Sequence, residues 1–155
     1  MCGIIGIFSK ETIRIDLSDA FRKQAERGQD SYGISINEET EYFSNIKKFE
    51  ERLMDISGKN ILIHNLHSIV GNVKQPINGR FAANCEIYNW KELNKKCKLN
   101  AKNDAELLFM LLEKTGVEKT LDIIDGDYSF AYIKNDKIYL ARDLIGVKPI
   151  IYGIK

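Results

Sequence analysis

Cys2 is the residue whose type and place most directly permit covalent chemistry. It follows Met1 and precedes Gly3, and a methionine before a small residue is ordinarily trimmed. Trimming leaves a first residue that carries both a thiol and a free α-amine. An α-amine titrates at about 7.7–8.0 and a free thiol at about 8.5. The two exchange a proton readily near neutral pH, so one residue supplies both nucleophile and base for attack on a carbonyl carbon. Gly3 lets the backbone turn tightly and leaves room beside the thiol. The plainer reading of Cys2 is a thiol at a frayed terminus. The other cysteines are Cys85 and Cys97. An odd count without CxxC spacing argues against a disulfide framework or a zinc site, so no metal and no cofactor is expected. A reduced, cytoplasmic setting goes with that usage.

The elements that must position such a residue follow from periodicity and punctuation. Residues 3–8 are an apolar run bounded by glycine and read as a buried strand. Asp16-Leu17-Ser18-Asp19 offers N-cap chemistry for a helix through Phe21 and Ala25 that Gly28 stops. Ser31 to Ile36 and Glu41 to Ile46 read as paired strands, joined by Asn37-Glu38-Glu39-Thr40. Residues 48–58 read as a charged helix, and Ile61 to His64 as a strand. A loop over Lys74 to Gly79 leads into a strand from Arg80 to Asn84. Asp104 to Thr115 is the clearest helix, capped by Asn103 or Asp104 and stopped by Gly116. Tyr128–Lys134 and Lys137–Ala141 flank Asn135-Asp136 as a hairpin, and Pro149 to Gly153 reads as one more strand. The sum is a mixed α+β domain with largely antiparallel sheets, a single domain over 1–155.

Composition narrows the function classes. The 155 residues are 44% hydrophobic, as a folded chain requires, and the formal net charge is +1 from 23 basic and 22 acidic residues. That balance points away from nucleic-acid and membrane-surface partners. Lys95-Lys96-Cys97-Lys98 reads as a solvated turn. No apolar run approaches the 18–20 or so residues of a membrane span, and the first residues lack the pattern of a secretory signal. Neither a Gly-x-x-x-x-Gly-Lys nor a Ser-Gly-Gly-x-Asp-Ser phosphate loop occurs.

Five segments, in order, resemble the glutaminase domain of class II glutamine amidotransferases, in the asparagine synthetase branch. They are Met1-Cys2-Gly3-Ile4-Ile5-Gly6-Ile7, Arg27-Gly28-Gln29-Asp30-Ser31-Tyr32-Gly33, Asn84-Cys85-Glu86-Ile87-Tyr88-Asn89, Asn103-Asp104-Ala105-Glu106 and Ala141-Arg142-Asp143-Leu144-Ile145-Gly146-Val147-Lys148-Pro149. The resemblance implies an α+β fold of the N-terminal-nucleophile hydrolase kind, a four-layer αββα sandwich of two antiparallel sheets between helices. It implies hydrolysis of glutamine to glutamate and ammonia through a thioester on Cys2, with the ammonia passed to an ATP-dependent synthetase domain or subunit. It gives Asn84 and the backbone N–H of Cys85 to the oxyanion hole. It also gives Glu86 and Asp104 the part of holding the substrate. Read without it, Asn84 satisfies a strand end, Asp104 caps a helix and Glu86 is solvated. His64 and His67 read as strand-end histidines rather than ligands.

Two positions depart from the family. Leu66 stands where the family has the arginine that grips the glutamine carboxylate, and Cys85 stands in place of a glycine. Loss of that charge-assisted grip leaves three readings: another cation replaces it (His67 and Arg80 being candidates), the substrate is a different amide, or the chain is a catalytically silent regulatory or binding module.

Overall fold

The computed structural model describes residues 1–68 and 71–154. Its contacts divide the chain into two compact units, Met1–Ile69 with Lys74–Ala82, and Val70–Val73 with Ala83–Lys155. Among the described residues, two antiparallel sheets and five α-helices give the α+β class expected from the sequence.

The first unit is built on a four-stranded sheet of order β1-β4-β2-β3, with β1 Gly3–Ile15, β2 Ser31–Ile36, β3 Glu39–Phe43 and β4 Ile56–Leu66. β1 is longer and wetter than the buried strand read over residues 3–8. It is an edge strand in which only Gly3 is buried, and its pairing to β4 slips between Phe8 and Ile13. The apolar run ends at Phe8, but edge strands tolerate the polar residues that follow. The β2–β3 turn is only Asn37-Glu38, both at positive φ (51° and 73°), so β3 begins two residues before the expected Glu41. That is the geometry of a two-residue hairpin turn whose twist matches the strands.

Helix α1, Ser18–Arg22, is short, and a separate 3-10 turn at Ala25–Arg27 precedes Gly28, where one continuous helix was expected. Helix α2, Ile46–Leu53, starts earlier than read. The Asn45 side chain accepts the Lys48 N–H, a cap that fixes the start. Leu17, just before α1, with Phe21 of α1 and Phe49 and Leu53 of α2, joins a core completed by Tyr32, Ile34, Ile56, Ile61 and Ile63. Phe21 meets Phe49 and Tyr32 edge-on, with centroids 5.0 and 5.7 Å apart.

The second unit carries the sheet β5-β6-β7, with β5 Phe81–Ile87 (its first two residues counted with the first unit), β6 Gly126–Lys134 and β7 Lys137–Arg142. The β6–β7 hairpin turns at Asn135-Asp136, as the sequence indicates. Helix α4, Asp104–Thr115, matches its reading, and its cap is Asn103, whose side chain accepts the Glu106 N–H at 2.9 Å. Glu106 answers by accepting the Lys102 N–H. Two short helices escaped the sequence reading: α3, Trp90–Lys96, and α5, Val117–Ile123. Each buries a single residue, Leu93 and Thr120, too little to print a helical period. Lys95 and Lys96 therefore end a helix, where cations suit the dipole, and the expected turn is confined to Cys97-Lys98. Leu93, Ala101, Leu107 and Leu111 form this unit's apolar cluster.

The strand expected over Pro149–Gly153 is not formed. Ile151 and Ile154 are almost fully exposed and Tyr152 largely so, and no neighbouring strand pairs with them among the described residues. The preceding segment is ordered by Asp143. Its carboxylate accepts the N–H groups of Val147 (2.8 Å) and Lys148 (2.9 Å), and its carbonyl accepts that of Gly146, whose φ of 76° admits the turn. Burial pushes the Asp143 carboxyl up, but N–H donors from Lys148, Val147 and Gly146 outweigh it and hold the group below 3.8. A depressed folded pKa stabilises above the unfolded value and is lost as pH falls through the folded one. Asp143→Asn is therefore expected to lower the thermal midpoint at pH 7, with a difference from wild type that shrinks as the pH is taken below 3.8. Melting curves of both proteins across that range check it. A difference independent of pH would remove the carboxylate's charge from the explanation.

Candidate functional site

Cys2 lies at the start of β1, where Gly3 pairs with Asn65 of β4. A β-carbon at Gly3 would overlap the Asn65 side chain, so glycine is needed here for close approach rather than for a special φ. Asn65 is fully buried, and its amide donates to the carbonyls of Gln24 (3.1 Å) and Gly28 (3.3 Å). The strand end under Cys2 is thereby tied to the segment that follows α1. The Cys2 sulfur sits beside the His67 backbone, 3.4 Å from its N and 3.7 Å from its O.

The Arg27 to Gly33 segment builds the other side of this place. Arg27 Nε donates to the Cys2 carbonyl at 3.2 Å. Gly28 packs so close to β4 that a β-carbon would lie 2.5 Å from the Leu66 carbonyl carbon. Asp30 N–H donates to the Leu66 carbonyl, and the Asp30 carboxylate accepts the Ser68 N–H at 2.7 Å. His67 Nδ1 lies 4.0 Å from the same carboxylate. Gly33 runs against the Gln75 carbonyl, where a β-carbon has no room. Arg27, Asp30 and Asn65 thus frame Cys2, although the sequence attached no role to them. Arg27 and Asp30 fall in a quoted motif, so that signal was available. Nothing in the sequence marks Asn65.

Leu66, at the position of the expected arginine, is 5% exposed and belongs to the interior. The two candidate replacements fare differently. Arg80 is turned to Glu38 at 3.9 Å, past the Ile36 end of β2. Ser31 at the other end pairs with Leu66, so Arg80 is separated from Cys2 by the length of the strand, about 17 Å. His67 is half-exposed beside the Cys2 sulfur, facing Asp30.

In the second unit, Asn84, Cys85 and Glu86 are consecutive residues of β5. Asn84 is buried, Cys85 is half-buried and Glu86 is exposed. Cys85 lies within the strand and outside the positive-φ residues, so a β-carbon is accommodated and its N–H is kept where a glycine was expected. Asp104 is buried at the first turn of α4. Its carboxylate accepts the N–H of Ile87 at 3.2 Å and of Ala105 at 2.9 Å. Burial raises its pKa above 3.8 and the Glu86 charge adds to the rise, against these N–H donors. The cap of α4 is Asn103, so Asp104 is not explained as a helix cap. The rest of the motif is structural: Tyr88 donates to Asp127 at 2.7 Å, and Asn89 bonds the Ile123 carbonyl and the Asp125 N–H. The sequence-derived site residues therefore fall into two groups, Cys2 in the first unit and Asn84, Cys85, Glu86 and Asp104 in the second.

Among the described residues no cluster of three or more His, Cys, Asp or Glu side chains could hold a metal ion, and no helix is long and apolar enough to cross a membrane.

Comparison with known proteins gives this arrangement a family. The chain is 35% identical to a Methanocaldococcus jannaschii protein provisionally named as a glutamine-hydrolyzing asparagine synthetase, over 98% of this chain and 30% of that protein. It is 29% identical to the glutamine-hydrolyzing asparagine synthetase of Gallus gallus, over 97% of this chain and 26% of that one. With the enzyme of that name from Rattus norvegicus the identity is 35%, over 46% of this chain and 13% of the relative. The chain spans less than a third of the length of these relatives. A glutamine amidotransferase domain matches residues 1–155, the whole of the sequence, and the chain belongs to that family.

Proposed function

We propose that this chain hydrolyses glutamine to glutamate and ammonia through a thioester on Cys2, and that the ammonia passes to an ATP-using synthetase domain or subunit. The observation that carries the reading is the family match over the full length, with Cys2 next to Met1 and its sulfur seated on the β4 end. Met1 is 56% exposed, which suits its removal. Once it is gone, the Cys2 α-amine takes the thiol proton as sulfur attacks the carboxamide carbon. Asn84 and the Cys85 N–H are the proposed donors to the resulting oxyanion. The tetrahedral species collapses, the ammonium proton goes to the departing nitrogen, and ammonia leaves. Water then attacks the thioester, releasing glutamate and restoring the thiol. Glu86 and Asp104 are the proposed holders of the substrate, including its α-ammonium group. The names and lengths of the relatives support a synthetase as the ammonia acceptor. Ammonia release from glutamine, with and without such an acceptor, tests the proposal. Absence of glutamate production in both would contradict it.

Asp104 separates binding from folding. A carboxylate whose folded pKa is raised favours the fold in its protonated form, and this benefit is lost as pH rises through the folded value. At neutral pH its charge is held at a cost. Asp104→Asn should therefore leave the thermal midpoint at pH 7 at or above that of wild type. It should also weaken glutamine binding by about 10- to 150-fold, the scale of one hydrogen bond to a charged group. Calorimetric titration and melting on the same samples check both. A variant that melts early and binds normally would make Asp104 a structural residue.

A silent binding module is the second reading, favoured by buried Leu66 at the position of the carboxylate grip. It requires glutamine to bind without turnover in a chain that begins at Cys2.

A further inference from the structure

The first unit contains five arginines, and four have a carboxylate partner. Arg14 pairs with Asp55, Arg22 with Asp19 and Glu50, Arg52 with Glu41 and Arg80 with Glu38. Arg27 has none within 4.0 Å among the described residues, and its hydrogen bond goes to the Cys2 carbonyl through Nε. It is half-buried and fixed at both ends. The 3-10 turn holds its backbone, and Gly28 after it is pressed against the Leu66 backbone. Its side chain therefore meets the residue of the nucleophile, while its backbone runs beside the strand position that has lost its arginine.

We infer that Arg27 holds the α-carboxylate of the amide substrate, taking over the grip that Leu66 cannot give. The inference rests on the glutaminase reading and names the specificity residue of that site. The span fits. From the carboxamide carbon to the carboxylate carbon, an extended glutamine covers about 5 Å. Arg27 Nε is 3.2 Å from the Cys2 oxygen, which standard bond lengths keep within about 5 Å of the Cys2 sulfur. The Nε proton is engaged, and the outward face of the guanidinium keeps two nitrogens, the fork that suits a carboxylate. Arg80 is excluded by its distance along β2. His67 shares its surroundings with Asp30, which competes for any positive charge there. The substrate class that follows is a free amino acid amide with an unmodified α-carboxylate, rather than a peptide or a simple amide.

The test uses glutamine and glutamine α-methylamide, which keeps the side-chain amide and the α-ammonium group but lacks the carboxylate charge. Ammonia release is measured with a chain beginning at Cys2, and binding is measured by calorimetry in a Cys2→Ala background. Wild type should prefer glutamine by about 10- to 150-fold. Arg27→Ala should remove that preference, raising KM and Kd for glutamine while leaving those for the methylamide in place. Any fall in kcat from loss of the Cys2 carbonyl contact should be the same for both amides. Arg27→Lys, which keeps the charge without the fork, should retain part of the preference and guards against misfolding of the alanine variant. Equal losses on both amides would overturn the inference and leave Arg27 as a clamp on Cys2. So would a wild type with no preference between the two. If wild type releases ammonia from neither amide while still discriminating them in binding, the glutaminase reading falls and the carboxylate grip stands.

Discussion

Cys2→Ala is expected to lower ammonia release from glutamine by a factor of about 10⁴ or more, the scale on which loss of an activated nucleophile acts. The fold should be unaffected. Cys2 precedes the first residue of β1; its sulfur meets the His67 backbone, and its contact with Arg27 is made through its carbonyl rather than its side chain. The substitution removes the sulfur that would carry the acyl group and leaves every strand pairing in place. An uncleavable extension before Cys2 should be as damaging as the substitution, because it converts the proposed base into an amide nitrogen. The two variants together separate the roles of thiol and amine. Serine at position 2 would keep an oxygen nucleophile and serves as an intermediate case. Hydrolysis that persists in the alanine variant, measured as glutamate formed against a blank, would remove Cys2 from the chemistry.

Asn84→Ala carries the second largest expected effect. The proposed role is to donate to an oxyanion that exists only along the reaction path, so the loss belongs in kcat. Removing one such donor costs about 10²–10³ in rate. Glutamine affinity should change far less, since the ground-state amide oxygen carries little charge. Asn84 is buried in β5, so Asn84→Asp, which keeps the shape and removes the donor, is the companion variant. Steady-state and binding measurements on both decide the matter. A loss confined to affinity would make Asn84 a binding residue.

What the sequence made legible was local. The β6–β7 hairpin and α4 carry their own punctuation, a two-residue Asn-Asp turn and an Asn103 cap with Gly116 at the far end. The β2–β3 turn was placed long because its charged stretch contains no glycine to mark the two positive-φ positions. α3 and α5 bury too little to show a period, and β1 continues past its apolar run because an edge strand does not need one. At the site, Cys2 announced itself by place and chemistry, and the family resemblance supplied Asn84, Cys85, Glu86 and Asp104. Arg27 did not stand out, because its significance is a contact with a carbonyl far from it in the chain, which no local pattern announces. Asn65 was silent for the same reason: a buried amide bracing two loop carbonyls has no sequence signature.

The central claim is that acyl transfer runs through the thiol of an N-terminal cysteine. Acid-quenching the protein during turnover with glutamine, then measuring intact mass and mapping the adduct by digestion, reads this directly. The account predicts a chain that lacks Met1 and carries one glutamyl group on Cys2, an adduct that vanishes in Cys2→Ala. An adduct on Cys85 or Cys97, or turnover by a chain that retains Met1, would contradict it.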